Sequence, residues 1–290
     1  MSHRAGRTPG NSDTLELFVD HVTHVDCGVL DPRSGLSGHT WLVDATLTGQ
    51  RDASGMLFDF GPAKRLLKRE IDALIDHRLL VPRLANGIRL DGPLITLTAH
   101  DGAGIDYRGP AAGVAIFDAE AIDSTLLERW LTERIAPQLP ANIDALTLAL
   151  REERIDGPHY HYCHGLKSHD GNCQRMGHGH RCRLAIAIDG VDQPEIAQQW
   201  ADRWQGIFIG QREDWVETDR HGRHHFAYRA EQGDFAFAID AGRCVILDGP
   251  PTVENIADHI AGELRHAHPA QHIAVRAYEG VGKGAVARRG

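Results

Sequence analysis

The sequence predicts an α+β protein of two tandem units, each an antiparallel sheet with helices packed on one face. Three observations carry this. The order strand, strand, helix, inserted strands, helix, strand occurs twice along the 290 residues. The helical stretches place apolar residues at i, i+3 and i+4. The seam, Ile155-Asp156-Gly157-Pro158, holds no flexible linker, so the halves are expected to pack together. The expected division is a mobile N-terminus at 1–13, a first unit at 14–156 and a second at 157–290.

The first unit opens with strand-like stretches at 14–25 and 38–48, separated by the turn Asp31-Pro32-Arg33-Ser34-Gly35. A helix follows Gly55-Met56-Leu57-Phe58-Asp59-Phe60. It buries Ala63, Leu66, Leu67, Ile71, Leu74 and Ile75 and ends near Asp76-His77. Residues 83–118 read as one or two hairpins, with Leu94 to Thr98 the clearest strand. A helix at 124–135, capped by Asp123 or Ser124, carries Leu127, Trp130 and Leu131 on one side. The strand at 145–150 closes the unit. The second unit repeats this with two strands inside 160–188, a helix at 194–207, strands within 214–247, a helix at 252–266 and a strand at 272–277. The last strand of the first unit is a candidate to double as the first strand of the second.

A hydrophobic share of 42% supplies a core, and a net charge of −9 excludes a general nucleic-acid or anionic-membrane binder. No apolar run reaches membrane-spanning length. Met1 to Ser12 is polar and lacks the apolar core of a secretory signal. The cysteines Cys27, Cys163, Cys173, Cys182 and Cys244 show no paired framework. A cytoplasmic protein with reduced thiols is expected.

Nineteen histidines is a high count, and they cluster. His178 and His180 sit two apart at a strand start, so both face one side. His164 on the preceding strand supplies a third nitrogen. Three protein ligands with an open fourth position form a catalytic rather than a structural zinc site. Cys173, in the connecting loop near Arg175, is a candidate thiolate base. Two rivals stand beside this reading: His161 in place of His164, and a structural site from Cys163, Cys173 and Cys182 with a histidine.

These residues resemble the 6-pyruvoyl and 6-carboxytetrahydropterin synthase family. The match runs through His164, Cys173, His178-Gly179-His180, the Gly55 to Phe60 helix start and Ile75-Asp76-His77-Arg78-Leu79-Leu80. It continues in Pro251-Thr252-Val253-Glu254-Asn255 and in Glu279 at a strand end. The resemblance implies the tunnelling fold (T-fold), zinc on His164, His178 and His180, and catalysis by Cys173 with the Asp76-His77 pair. It implies substrate contacts from Glu279, Thr252, Glu254 and Arg175, with Glu279 gripping the pterin edge. Glu152 is the matching position in the first unit. Lys167, His169, Arg175, Arg181 and Arg183 are candidates to meet a triphosphate, with at least two facing away.

Each unit is incomplete. The first has Ser37-Gly38-His39 where His-Gly-His is expected, although His21, His24, Cys27 and His39 remain a candidate metal set. The second has Gly206 to Gly210 where Asp-His is expected. The expected solution is that Asp76-His77 meets the zinc of the second unit, within the chain or across subunits. By resemblance the substrate is 7,8-dihydroneopterin triphosphate and the product 6-carboxytetrahydropterin, on the route to deazapurines such as queuosine. The alternatives are 6-pyruvoyl tetrahydropterin synthesis, a cyclohydrolase of the same fold, or a non-catalytic pterin- or metal-binding paralogue. Open sheet edges predict a homo-oligomer.

Overall fold

The computed structural model describes residues 14–290. The expectation of a mobile stretch at 1–13 lies outside the described residues. The first unit runs β1 (Leu15–Asp31), β2 (Gly35–Gly49), α1 (Phe60–Leu74), β3 (Leu79–Pro82), β4 (Ile88–Asp91), β5 (Leu94–Thr98), β6 (Gly104–Arg108), β7 (Val114–Phe117), α2 (Ser124–Ile135) and β8 (Ile143–Glu152). The second runs β9 (His159–His164), β10 (His178–Ile188), β11 (Val191–Asp192), α3 (Pro194–Arg203), β12 (Ile207–Gln211), β13 (Trp215–Thr218), β14 (Arg223–Ala230), β15 (Gly233–Asp240), β16 (Cys244–Leu247), α4 (Val253–Ala267), β17 (Ile273–Tyr278) and β18 (Gly284–Arg289).

The two units build matching sheets. The first has the order β7-β3-β1-β2-β8; the second has β16-β12-β9-β10-β17-β18, with β11 on the end of β10. Antiparallel pairs dominate, but β3 lies parallel to β1 and to β7, and β12 parallel to β9 and to β16. The parallel pairs follow from connections that cross over through a helix or a long insertion rather than a tight turn. β8 and β9 lie in separate sheets, so the idea that one strand serves both units is corrected.

Each helix is built as its sequence pattern dictates. α1 buries Ala63, Leu67 and Ile71, and Asp59 caps it by accepting from Gly61 N at 2.8 Å. Asp123, not Ser124, caps α2. Thr252 caps α4. α3 ends at Arg203, four residues short of expectation, because Gly206 turns the chain with a φ of 67° and Ile207 already belongs to β12.

The insertions depart most from expectation. The expected hairpins form, β4-β5-β6 in the first unit and β13-β14-β15 in the second, but the two sets join. β6 pairs antiparallel with β15, placing Tyr107 opposite Phe237 and Ile105 opposite Ile239. One continuous sheet, β13-β14-β15-β6-β5-β4, therefore spans both units. Beneath it lies a shared core that includes Leu36 and Leu79 of the first unit and Cys163, Phe208 and Phe226 of the second. Burying each of these large apolar side chains contributes about 1.5–3 kcal/mol, so separating the units would forfeit a core as well as a sheet.

The central sheets meet where β2 crosses β9 and β10. A Cβ on Gly38 would stand 2.5 Å from His180 N and closer still to the Tyr162 carbonyl. One on Gly179 would stand 2.6 Å from Gly38 Cα. All are backbone atoms and have no rotamer to retreat into. Gly38→Ala is therefore expected to destabilise the fold by about 3 kcal/mol in urea unfolding. Gly262→Ala, mid-helix in α4 with nothing within 4 Å, is expected to stabilise it by about 0.5–1 kcal/mol. Equal stability of Gly38→Ala and the parent would show that the crossing tolerates a side chain.

Candidate active site

β9 and β10 pair antiparallel with His178 opposite His164 and His180 opposite Tyr162. Partners across a ladder share a face, and so do residues two apart. Three imidazoles are thereby aimed into one space, with ring centroids 4.5 to 5.5 Å apart and all three rings fully buried. Their Nδ1 atoms point outward, two of them hydrogen-bonded. His164 Nδ1 is 2.8 Å from the Pro251 carbonyl, His178 Nδ1 is 2.6 Å from the Arg175 carbonyl, and His180 Nδ1 is 3.2 Å from Asp26 Oδ1. A carbonyl only accepts, so His164 and His178 carry their protons on Nδ1 and turn their Nε2 lone pairs inward, that of His164 to 3.1 Å from His180 Nε2. Burial holds both well below the ordinary histidine range, hence neutral.

One ligand atom from each of the three lies within 4.8 Å of the others, and His178 Nε2 has no hydrogen-bond partner. A buried nitrogen left without a partner among converging lone pairs fits a divalent cation. The rival sets do not form. Cys163 and Cys182 are buried in different cores. His161 turns away, its Nδ1 2.6 Å from the Gly38 carbonyl.

The second half of the site comes from the first unit. After α1 the chain turns through His77 at φ 53°. His77 N donates to the Asp26 carbonyl at 2.7 Å, and Asp76 Oδ1 accepts from Asp26 N at 2.9 Å. Asp76 Oδ2 holds His77 Nδ1 at 2.6 Å, so Nε2 is the nitrogen turned toward Cys173. The His77 ring lies 4.9 Å from that of His178, and His77, Cys173 and His178 offer ligand atoms within 4.8 Å of one another. Burial opposes charge on His77, but its hydrogen bonds to Asp76 and Cys173 prevail and push it up to about 10. The meeting of Asp76-His77 with the histidine cluster thus occurs within one chain. Glu279 completes the ring, with Oε1 3.8 Å from His180 Nε2.

The remaining candidates stand elsewhere. Arg175 is only 8% exposed; its Nε donates to Gln232 Oε1 at 2.8 Å and its Nη1 to the Asp76 carbonyl at 3.3 Å. It braces the two units, with little of its guanidinium facing open space. Lys167 is spent on Asp214 at 2.7 Å, Arg181 on the Glu153 carbonyl at 2.7 Å, and Arg183 on the Glu153 carboxylate. Thr252 caps α4 just after Pro251, and Glu254 is exposed in that helix's first turn.

Strand register makes the losses exact counterparts. Gly28 faces Gly38 as Cys163 faces Gly179, so Val29, Ser37 and His39 stand where His164, His178 and His180 stand. The first unit lacks two of the three histidines, not one. Cys27 is buried under α1, and among the described residues His21, His24, Cys27 and His39 form no compact set. Gly206 N donates to the His161 carbonyl at 2.8 Å as His77 N does to that of Asp26, so Gly206 replaces His77. Asp26, at the position of His161, was missed by sequence reasoning; a lone acid in an apolar strand has no motif around it.

A family model described as 6-pyruvoyl tetrahydropterin synthase matches residues 18–157 and again 155–290. Similar proteins from Pyrococcus horikoshii and Pyrococcus abyssi are named as 6-carboxy-5,6,7,8-tetrahydropterin synthases. They are 26% and 23% identical over 118 residues, which is 41% of this chain and 69% of each relative. Among solved structures, a 6-pyruvoyl tetrahydropterin synthase from Plasmodium vivax aligns with a TM-score of 0.42 and 14% identity over 50% of this chain and 95% of its own. One from Plasmodium falciparum aligns with a TM-score of 0.40 and 14% identity over 47% and 90%. With both halves of its length matched in turn, the chain belongs to the 6-pyruvoyl tetrahydropterin synthase family and carries the family's unit twice.

Proposed function

We propose that this protein is a zinc-dependent lyase acting on 7,8-dihydroneopterin triphosphate to give 6-carboxytetrahydropterin, with one active site per chain. The observation that carries the reading is the convergence of Asp76-His77 from one unit on the three histidines and Cys173 of the other. The 6-carboxy product is favoured by the names of the Pyrococcus relatives. It would place the protein on a cytoplasmic route to deazapurines such as queuosine. Units at 14–156 and 157–290 would both be required, since neither holds a full set of groups.

His164, His178 and His180 would hold the zinc, which supplies Lewis-acid activation of the substrate's side-chain hydroxyls. The Glu279 carboxylate, beside His180, accepts from the 2-amino and N3–H edge of the pterin and fixes the ring. Cys173, on the loop over the cluster, takes a proton from the carbon next to the ring. His77, its Nδ1 held by Asp76, gives or receives a proton through Nε2. The shell of buried side chains around the histidines limits water.

Zinc titration of the metal-free protein should saturate at one equivalent per chain, and His178→Ala should bind none. Two equivalents would mean that the first unit keeps a site. His77→Ala should retain zinc yet lose about 10²–10⁴-fold in kcat, as expected for a proton-transfer group. Mass spectrometry of the products from the triphosphate substrate decides the chemistry. 6-Carboxytetrahydropterin with acetaldehyde supports the proposal. 6-Pyruvoyl tetrahydropterin assigns the elimination reaction, and tight binding without conversion assigns a non-catalytic paralogue.

The exposed edges favour assembly of several copies. Among the described residues nothing pairs with the outer edges of β7, β8, β16 and β18, and Ile116 on β7 and Val286 on β18 are 44% and 39% exposed. Light scattering at micromolar concentration should report a dimer or larger; a monomer would overturn this.

A further inference from the structure

One buried carboxylate beside the histidine cluster belongs to neither the proposed ligand set nor the proton pair. Asp26, on β1 of the first unit, is 1% exposed. Its Oδ1 accepts from Thr40 Oγ1 at 2.6 Å and lies 3.2 Å from His180 Nδ1. Its Oδ2 has no hydrogen-bond partner, and neither has His180 Nδ1. The nearest other cation-forming group is His24, with Nε2 3.7 Å away. A carboxylate buried with half its acceptors unused is costly, and it persists where something compensates.

The duplication supplies an internal control. The second unit holds His161 where the first holds Asp26. There the same backbone geometry is met by a neutral ring that contacts the Gly38 carbonyl. The fold therefore does not demand an acid at this position. What differs is the partner across the crossing. Asp26 faces His180, whose ring belongs to the three-histidine cluster. His161 faces His39, whose ring has no such cluster around it.

We infer that Asp26 is a positioning residue for the metal centre of the other unit. Its carboxylate fixes the proton of His180 on Nδ1, orients the ring and raises the basicity of Nε2 toward the cation. Of the three groups that face an Nδ1 it is the only one that is a charge, and the only one supplied by the first unit; the other two are carbonyls of the second. Thr40 steadies it, and Thr40 Oγ1 in turn accepts from Arg181 N of β10 at 3.1 Å. The main chain of Asp26 also carries the proton pair, through its N to Asp76 and its carbonyl from His77. One residue thus ties both halves of the site together. This rests on reading the three histidines as a metal site.

The test needs no substrate. Zinc affinity is measured by competition with a chromophoric chelator, and the cobalt-loaded protein is examined by its visible spectrum. Asp26→Asn keeps size and shape but removes the charge. It should weaken zinc binding about 10–100-fold and shift the cobalt bands while stoichiometry stays at one. A folded Asp26→Asn chain with parental affinity and an unchanged spectrum overturns the inference. If that variant does not fold, Thr40→Val decides in its place, since it leaves the carboxylate unsteadied. Weaker binding with shifted bands supports the inference, and unchanged values overturn it. Failure of the parent chain itself to bind zinc would instead refute the metal reading on which this rests.

Discussion

The contact on which the rest of this structure depends is backbone against backbone. Where β2 crosses β9 and β10, Gly38 and Gly179 are structural counterparts, and they meet face to face. Two sheets packed through side chains stand about 10 Å apart. Here the missing Cβ atoms let the strands touch locally. Only at that spacing can Asp26 of one sheet reach His180 of the other at 3.2 Å. The same approach brings the end of α1 to the histidine cluster. The continuous β6–β15 sheet and the shared apolar core hold the crossing closed.

Around this near-twofold axis the two possible sites have diverged. On one side the second unit contributes His164, His178, His180 and Cys173, and the first contributes Asp26, Asp76 and His77. On the other side Val29 and Ser37 stand in place of His164 and His178, Gly206 stands in place of His77, and the long loop bearing Cys173 is matched by the short turn between β1 and β2. Glu152 remains where Glu279 stands, 3.7 Å from His39 and 3.4 Å from Arg181. A carboxylate there is satisfied by an ion pair, so its survival needs no ligand.

Local periodicity carried most of the reading from sequence. The helices at 124–135 and 253–267 and the same-face rule for His178 and His180 follow from short-range pattern. What failed was non-local or hidden in register. The pairing of β6 with β15 joins residues more than a hundred positions apart and has no local signature. Ser37-Gly38-His39 looks like the loss of one ligand, and only the ladder reveals that Val29 faces Ser37 where His164 should stand. Nothing near Arg175 in sequence predicts its burial against Asp76. Whether Asp76-His77 worked in its own chain turned on a contact between units that spacing alone does not encode.

Strain argues that this arrangement is retained rather than inherited idly. His77 sits at φ 53°, a left-handed conformation that costs a non-glycine residue about 1–2 kcal/mol. Its counterpart, Gly206, adopts φ 67° without that cost. A glycine at 77 would thus relieve the backbone while keeping the hydrogen bond to the Asp26 carbonyl. The first unit bears this strain and the buried charge of Asp26 as well, although it has Val29 and Ser37 where the second unit has His164 and His178. Both costs fall on residues aimed at the neighbouring unit's histidines, and the matching positions that face the lost site carry neither. The unit without the three-histidine cluster is therefore shaped by the cluster it faces.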